Sequence, residues 1–217
     1  MDEFFPYTPR KTKFEVLEAT FVGCQSLLDE LKTSIREQAD AETLQHWMIL
    51  GLRGMGKSHL VTMIYHIVKM DPLLSSRWTP VLMNEEEHGV FSLTTLFTRI
   101  LTKLADELVK YDKESAGMVY SFLNNLRSGG NTPDRVMENT HNFLKNYVIE
   151  SGKRLLVLLE NADDLFTKCM PKANEVKQLR KILQHDNDML LIATSPTFFE
   201  GIRSRKGVFY DFFRLRR

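Results

Sequence analysis

The sequence predicts an α/β domain: a parallel five-stranded sheet sandwiched by helices. Three observations carry this expectation. Short apolar runs alternate along the chain with longer segments whose apolar residues recur at helical spacing. One run, residues 155–159, is apolar at every position, as a strand covered on both faces must be. A glycine-rich loop, residues 51–58, lies between a predicted strand and a predicted helix.

The elements follow in order. Residues 1–20 mix Phe4, Phe5, Tyr7 and Phe14 with prolines and charges, and read as an arm laid over the body. After the turn Phe21-Val22-Gly23, residues 25–38 place Leu27, Leu28, Leu31 and Ile35 at helical spacing. The run 46–50 is a buried strand. Residues 57–70 form an amphipathic helix that Asp71-Pro72 ends, because proline lacks the N–H a helix needs. A second strand, 78–83, precedes a helical insert at about 91–153, with helices expected over 92–111, 114–127 and 134–150 and a Gly-Gly-Asn-Thr-Pro loop inside it. The strand 155–159, a helix over 173–185, a strand over 189–193 and a fifth strand within 209–215 complete the pattern.

The 217 residues suit one sizeable domain. With 43% apolar and 26% charged residues the chain has the balance of a globular protein rather than a disordered one. A net charge of +1 excludes a global field that would draw it to nucleic acid or membrane. No segment holds the run of about eighteen apolar residues that a membrane-crossing helix requires. The first residues carry Asp2, Glu3, Arg10 and Lys11 and contain no apolar signal core. Cys24 and Cys169 have no C-x-x-C partner and read as free thiols of a reducing, cytoplasmic compartment.

Residues 51–58 (GLRGMGKS) satisfy the phosphate-loop pattern, and each residue type has a physical task. Glycines let the backbone curl so that N–H groups converge on phosphate oxygens. The helix that begins near Lys57 turns its positive dipole end to the same anion. Lys57 is expected to reach the β- and γ-phosphates, and the Ser58 hydroxyl to ligate magnesium. The nucleotide contacts expected here are Gly51, Arg53, Gly54, Met55, Gly56, Lys57, Ser58 and His59, with ATP and Mg2+ as the cofactors.

A phosphate-loop ATPase also needs a carboxylate at a neighbouring strand end. Glu160 follows the run 155–159 and is the magnesium-side candidate with Ser58. Asn161 stands where a catalytic glutamate is common; its amide can orient a water but cannot take a proton near neutral pH. That leaves slow hydrolysis, a base elsewhere (Asp163, Asp164 or the run Glu85-Glu86-Glu87), or a nucleotide-binding switch. Asp163 and Asp164 equally suit helix capping.

These motifs resemble an AAA+-type P-loop ATPase of the replication-initiator and STAND-like branch, over residues 18–217. The resemblance implies an adenine-side motif at Phe21-Val22-Gly23, followed by Cys24-Gln25 where many relatives have Arg-Glu. It makes 155–161 a Walker B segment with Glu160 for the usual aspartate and Asn161 for the usual glutamate. It makes 189–195 a sensor strand with Thr194 or Ser195 as its polar residue. It also implies an arginine finger at Arg205, with Arg203 next; a solvated basic turn explains those residues as well. Such proteins continue into a helical lid, and residues 21–217 read as a core cut before it.

The remaining signals are weaker. His59 and His66 lack metal-ligand partners in sequence and read as packing or surface groups. Arg203, Arg205, Lys206, Arg214, Arg216 and Arg217 suit phosphate contacts or a subunit interface, with no DNA-binding motif beside them. The expected function is ATP binding with slow hydrolysis, coupled to assembly or remodelling of a partner, with self-association through the nucleotide face. The alternatives are a non-hydrolysing, nucleotide-dependent interaction module and, less in keeping with the insert, a nucleotide kinase.

Overall fold

The computed structural model describes residues 9, 12–84, 92–130, 132–169 and 173–217, with the side chains of Arg127, Lys168, Cys169 and Ala173 aside. The run Glu85-Glu86-Glu87, the thiol of Cys169 and the first eight residues of the expected arm lie outside the described set. Within that arm Phe14–Thr20 form a helix, α1, followed by α2 (Gln25–Glu37) and β1 (Trp47–Leu50). Next come α3 (Lys57–Met70), α4 (Pro72–Ser75) and β2 (Trp78–Met83). The insert is α5 (Leu93–Leu108), α6 (Lys113–Ser128) and α7 (Pro133–Ser151), and it leads to β3 (Arg154–Leu159). After α8 (Ala162–Asp164), a π-helical turn (Leu165–Cys169) and α9 (Ala173–His185) comes β4 (Met189–Ser195), then α10 (Glu200–Arg203) and β5 (Arg214–Arg216).

All five strands are parallel, in the order β2-β3-β4-β1-β5. The all-apolar runs are explained by two cores, one on each face. Leu155, Val157 and Leu159 of β3 enter the core built with α5, α6, α7 and α9. Leu156 and Leu158 enter the other, built with α1, α2 and α3. The period-2 alternation of a strand thus sends neighbouring apolar residues to opposite faces. Pro80 fits the edge strand β2 for a related reason. Arg77 and Met83 turn their carbonyls to β3, accepting from Arg154 and Glu160. Residue 80, at even spacing from neither, faces outward, where its missing N–H leaves no gap in the ladder.

The helix starts are capped as the sequence allows. Ser92 and Thr95 form a reciprocal capping box on α5, Asp112 caps α6, and Thr132 with Pro133 opens α7. Asp71 does not only end α3; its carboxylate accepts from the N–H groups of Leu73 and Leu74 and starts α4. The two faces are fastened beyond β2 by Glu107 of α5. This buried carboxylate lies 2.5 Å from the ammonium of Lys69 on α3, 2.5 Å from Lys110, and accepts from the Tyr65 hydroxyl at 2.5 Å. Paired and hydrogen-bonded, the charge holds α3 in register with α5.

The fifth strand departs from expectation. Only Arg214–Arg216 pairs with β1, and residues 209–213 form a turn with Asp211 in the left-handed region at φ 53°. Phe209, Phe212 and Phe213 instead join an aromatic cluster, with ring centroids 4.8 Å from Phe209 to Phe166 and 4.9 Å between Phe212 and Phe213. Their apolarity is satisfied by a folded turn rather than by a ladder. The basic tail is also engaged: Arg214 and Arg216 both pair with Glu30 of α2, at 2.6 and 2.5 Å, and both lie over the Trp47 ring.

His46 fastens the start of β1. Its Nδ1 accepts the Leu191 N–H at 3.1 Å and its Nε2 donates to the Leu183 carbonyl at 2.9 Å, so both ring nitrogens serve a neutral imidazole. Burial lowers its pKa from the ordinary 6.5 to about 4. Between those values the unfolded chain takes up a proton that the folded chain refuses. Stability is therefore complete above the unfolded pKa and falls as the pH drops toward the folded one. We expect a loss of about 2 kcal/mol between pH 7 and pH 5. His66, lowered by burial with Lys69 and Lys110 beside it, adds to the trend. Urea denaturation at the two pH values checks this, and in His46→Gln most of the fall disappears; an undiminished fall removes the role given to His46.

Candidate functional site

The glycine-rich loop, residues 51–58, joins the end of β1 to the start of α3, and its curl comes from its glycines. Gly54 and Gly56 have φ of 84° and 77°, a region closed to most side chains. Gly56 serves as the N-cap of α3, and its carbonyl accepts the Leu60 N–H at 2.9 Å. No side chain caps this helix start, so its first N–H groups face the loop's concavity. The Lys57 ammonium folds back onto the carbonyls of Gly51 and Leu52, at 2.5 and 2.9 Å, and the Leu52 N–H meets the Met55 sulfur at 3.1 Å. Leu52 and Met55 are 71% and 58% exposed, so no core packing holds the loop against rearrangement.

Strand order brings the other residues to the same edge. β4 lies between β3 and β1, and its ladder runs two residues beyond the expected 189–193: Thr194 and Ser195 pair with Ile49 and Leu50. Both are polar and fully buried, at 1% and 0% exposure, so each needs partners. The Ser195 carbonyl accepts the Gly51 N–H at 3.1 Å, tying the loop to β4. The Thr194 hydroxyl accepts the Asn161 N–H at 3.3 Å, tying β4 to the residue after β3. Glu160, half-buried, continues β3 by donating its N–H to the Met83 carbonyl at 3.0 Å. Gly51 is thus bonded to Ser195 and Asn161 to Thr194, and Glu160 precedes Asn161 at the carboxyl edge of the sheet.

Asn161 itself has φ 51° and ψ 52°, left-handed backbone at the N-cap of α8. Asparagine and glycine adopt this conformation far more readily than glutamate. Backbone geometry thus accounts for asparagine here beside any chemical role, a constraint that the sequence alone does not display.

The remaining expected residues separate into two groups. His59 donates from Nε2 to the Leu17 carbonyl at 2.8 Å and meets the Phe21 ring edge-on at 5.2 Å. These contacts fix α1 and the turn at Phe21 beside the loop helix, while the Val22 side chain is 86% exposed. Ser58 is half-buried in the first turn of α3, beside Lys57. Arg53 is on the exposed part of the loop. Arg203 ends α10 and Arg205 lies in the turn after it, both exposed and outside the cluster just described. Sequence reasoning missed the part played by Ser195 and Thr197. The Ser195 hydroxyl donates to the Thr197 carbonyl at 2.6 Å and accepts the Thr197 N–H at 3.2 Å, closing the turn after β4. The Ser-Pro-Thr string marks a turn in the sequence, but not its attachment to the loop.

The fold is similar to that of three solved archaeal proteins. The Orc2 protein of Aeropyrum pernix, determined in ADPNP–ADP complexes, superposes with a TM-score of 0.59 at 13% identity, over 93% of this chain and 50% of that one. Cdc6p of Pyrobaculum aerophilum gives 0.54 at 12% identity, over 94% and 49%. The Orc1 protein of Aeropyrum pernix, determined in complex with DNA, gives 0.51 at 14% identity, over 86% and 43%. The chain spans about half the length of the solved structures it matches. No protein-family model matches the chain, and no curated protein matches it. The chain therefore shares the fold of these Orc and Cdc6 structures. Among the described residues no helix is long and apolar enough to cross a membrane.

The left-handed backbone at residue 161 makes a direct prediction. Asn161→Gly leaves stability within about 0.5 kcal/mol of the parent, whereas Asn161→Val lowers it by about 1–2 kcal/mol. Urea denaturation of both variants checks this, and equal effects would show that backbone conformation does not select the residue.

Proposed function

We propose that the protein binds ATP with magnesium at residues 51–58 and couples binding and slow hydrolysis to assembly or remodelling of a partner. The observation that supports this best is the hydrogen-bonded convergence of the loop, Thr194 and Asn161 at one sheet edge. Curled glycines and an uncapped helix start favour a polyphosphate. The Lys57 ammonium, which donates to the Gly51 and Leu52 carbonyls, would exchange those neutral acceptors for charged phosphate oxygens. The hard oxygen donors Ser58 and Glu160 suit Mg2+, which is commonly held by one or two side chains together with substrate phosphates. Magnesium would neutralise phosphate charge; Glu160 would orient its water shell.

In this reading Thr194 senses the γ-phosphate, since its hydroxyl hydrogen is available while its oxygen accepts from Asn161. Asn161 can orient a water but not deprotonate it, which makes turnover slow. The exposed Arg203 and Arg205 suit a second copy docked on the nucleotide face, where an arginine stabilises phosphoryl charge. The same position of Asn161 favours one other reading, a non-hydrolysing module whose partner binding follows nucleotide occupancy. DNA remains a partner class without a recognition motif in this chain.

Lys57→Ala is expected to weaken ATP binding about tenfold to a hundredfold, the worth of charge-assisted hydrogen bonds. Isothermal titration of parent and variant checks it, and equal affinities would sink the assignment of the loop. In single-turnover assays the parent should hydrolyse slowly and Asn161→Glu should hydrolyse faster despite a backbone cost of about 1 kcal/mol. A parent that binds ATP yet shows no turnover selects the non-hydrolysing module.

A further inference from the structure

The segments that leave β3 and β4 run side by side and touch at three successive levels. The Asn161 N–H donates to the Thr194 hydroxyl at 3.3 Å. Two residues on, the Thr197 hydroxyl donates to Asp163 Oδ2 at 3.4 Å. Further along, the Phe166 and Phe199 rings lie 5.9 Å apart, both buried. The middle level is unlike the others. The second oxygen of Asp163, Oδ1, is buried and has no hydrogen-bond partner among the described residues. A buried carboxylate oxygen left without a donor is costly, and such groups in folded proteins call for an explanation. Thr197, which bonds the other oxygen, is exposed and belongs to the turn closed by the Ser195 hydroxyl, whose residue's carbonyl receives the Gly51 N–H of the loop. Asp163, Thr197, Ser195 and Gly51 therefore form one line of contacts from the end of β3 to the start of the phosphate loop.

With Oδ1 buried and Oδ2 engaged by the Thr197 hydroxyl, the carboxylate is placed to hold a turn rather than to take a proton from water. Its geometry suits a different task. We propose that Asp163 is a positioning residue: by holding Thr197 it sets the place of the Ser195–Thr197 turn, and so the protein's preference for a nucleoside triphosphate over a diphosphate. The inference rests on the nucleotide reading of residues 51–58. A half-satisfied carboxylate gives the turn an arrangement that a small displacement can improve, by offering Oδ1 a donor. A γ-phosphate that engages the Thr194 hydroxyl acts at the first level of this line, one step from Asp163. A diphosphate does not reach that level. The differential contact needed to bias the turn is thus confined to the triphosphate.

The test is the ratio of dissociation constants for ADP and a non-hydrolysable ATP analogue, measured by titration calorimetry with magnesium. Asp163→Ala and Thr197→Val should each reduce the parent's preference for the triphosphate about tenfold while leaving ADP affinity unchanged, the size of a modest coupling between contacts. The double variant should be no worse than either single one, because both remove the same link. Thr197→Ser, which keeps the hydroxyl, should restore the ratio, a rescue that a loss of packing alone would not produce. Should Asp163→Ala prove too unstable to measure, the contrast of Thr197→Val with Thr197→Ser carries the test by itself. An unchanged ratio in Thr197→Val, additive losses in the double variant, or a parent that binds both nucleotides equally overturns the proposal. A parent that binds neither nucleotide sinks the phosphate-loop reading instead, and the role of Asp163 falls with it.

Discussion

The central constraint in this molecule is the insertion of β4 between β3 and β1. A strand at that place is covered on both faces and both edges, so its polar groups must find partners inside the protein. β4 is apolar through Ala193 and then ends in Thr194 and Ser195, both buried. The donors that satisfy them come from Gly51, Asn161 and Thr197. The end of β4 thereby joins three segments: its main chain holds the loop at Gly51, and its two buried polar side chains hold the end of β3 and the turn after β4. An apolar β4 of the same length would keep the first tie and lose the other two.

The two cores then give the site a rigid floor and a loose rim. α3, which carries Lys57 and Ser58, packs into one core through Leu60, Val61 and Ile64 and is fastened to the opposite layer by the buried Glu107. His59 attaches it to α1 as well. None of these contacts reaches the loop residues 52–56, which are all exposed. On the nucleotide reading, a phosphate-binding segment would benefit from this division. The helix dipole and the lysine stem are held by packing, while the main-chain amides remain able to settle around an anion.

What the sequence revealed about the site was what is local. The loop pattern, the strand before it and the helix after it are contiguous, and their glycines and periodicity can be read directly. The position of Glu160 followed from the all-apolar run that precedes it. Strand order is different in kind, because nothing in the local pattern of residues 189–195 says that β1 and β3 are its neighbours. Hence Ser195 was no more than an alternative to Thr194, and Thr197 was only part of a turn. The same limit explains β5: Phe209, Phe212 and Phe213 are apolar enough for a strand, and only the placement of Phe166 beside them shows why they fold into a turn. Arg214 and Arg216 look like a free basic tail until Glu30, far away in sequence, is found between them.

Asn161 joins these themes. As a letter in a Walker B-like segment it is a glutamate missing its acidity; as a residue with φ 51° it is a good fit to a left-handed turn. The two descriptions are not rivals. The left-handed turn is what swings the Asn161 N–H onto the Thr194 hydroxyl and starts α8, carrying Asp163 toward Thr197. A glutamate there would pay for the same turn with backbone strain, and relieving that strain would loosen the contacts to β4. On the nucleotide reading, the chain has given up a base at position 161 and kept a well-formed connection between the strands that flank the γ-phosphate. Such an exchange suits a protein whose output is the arrangement of its nucleotide face more than the rate at which it turns ATP over.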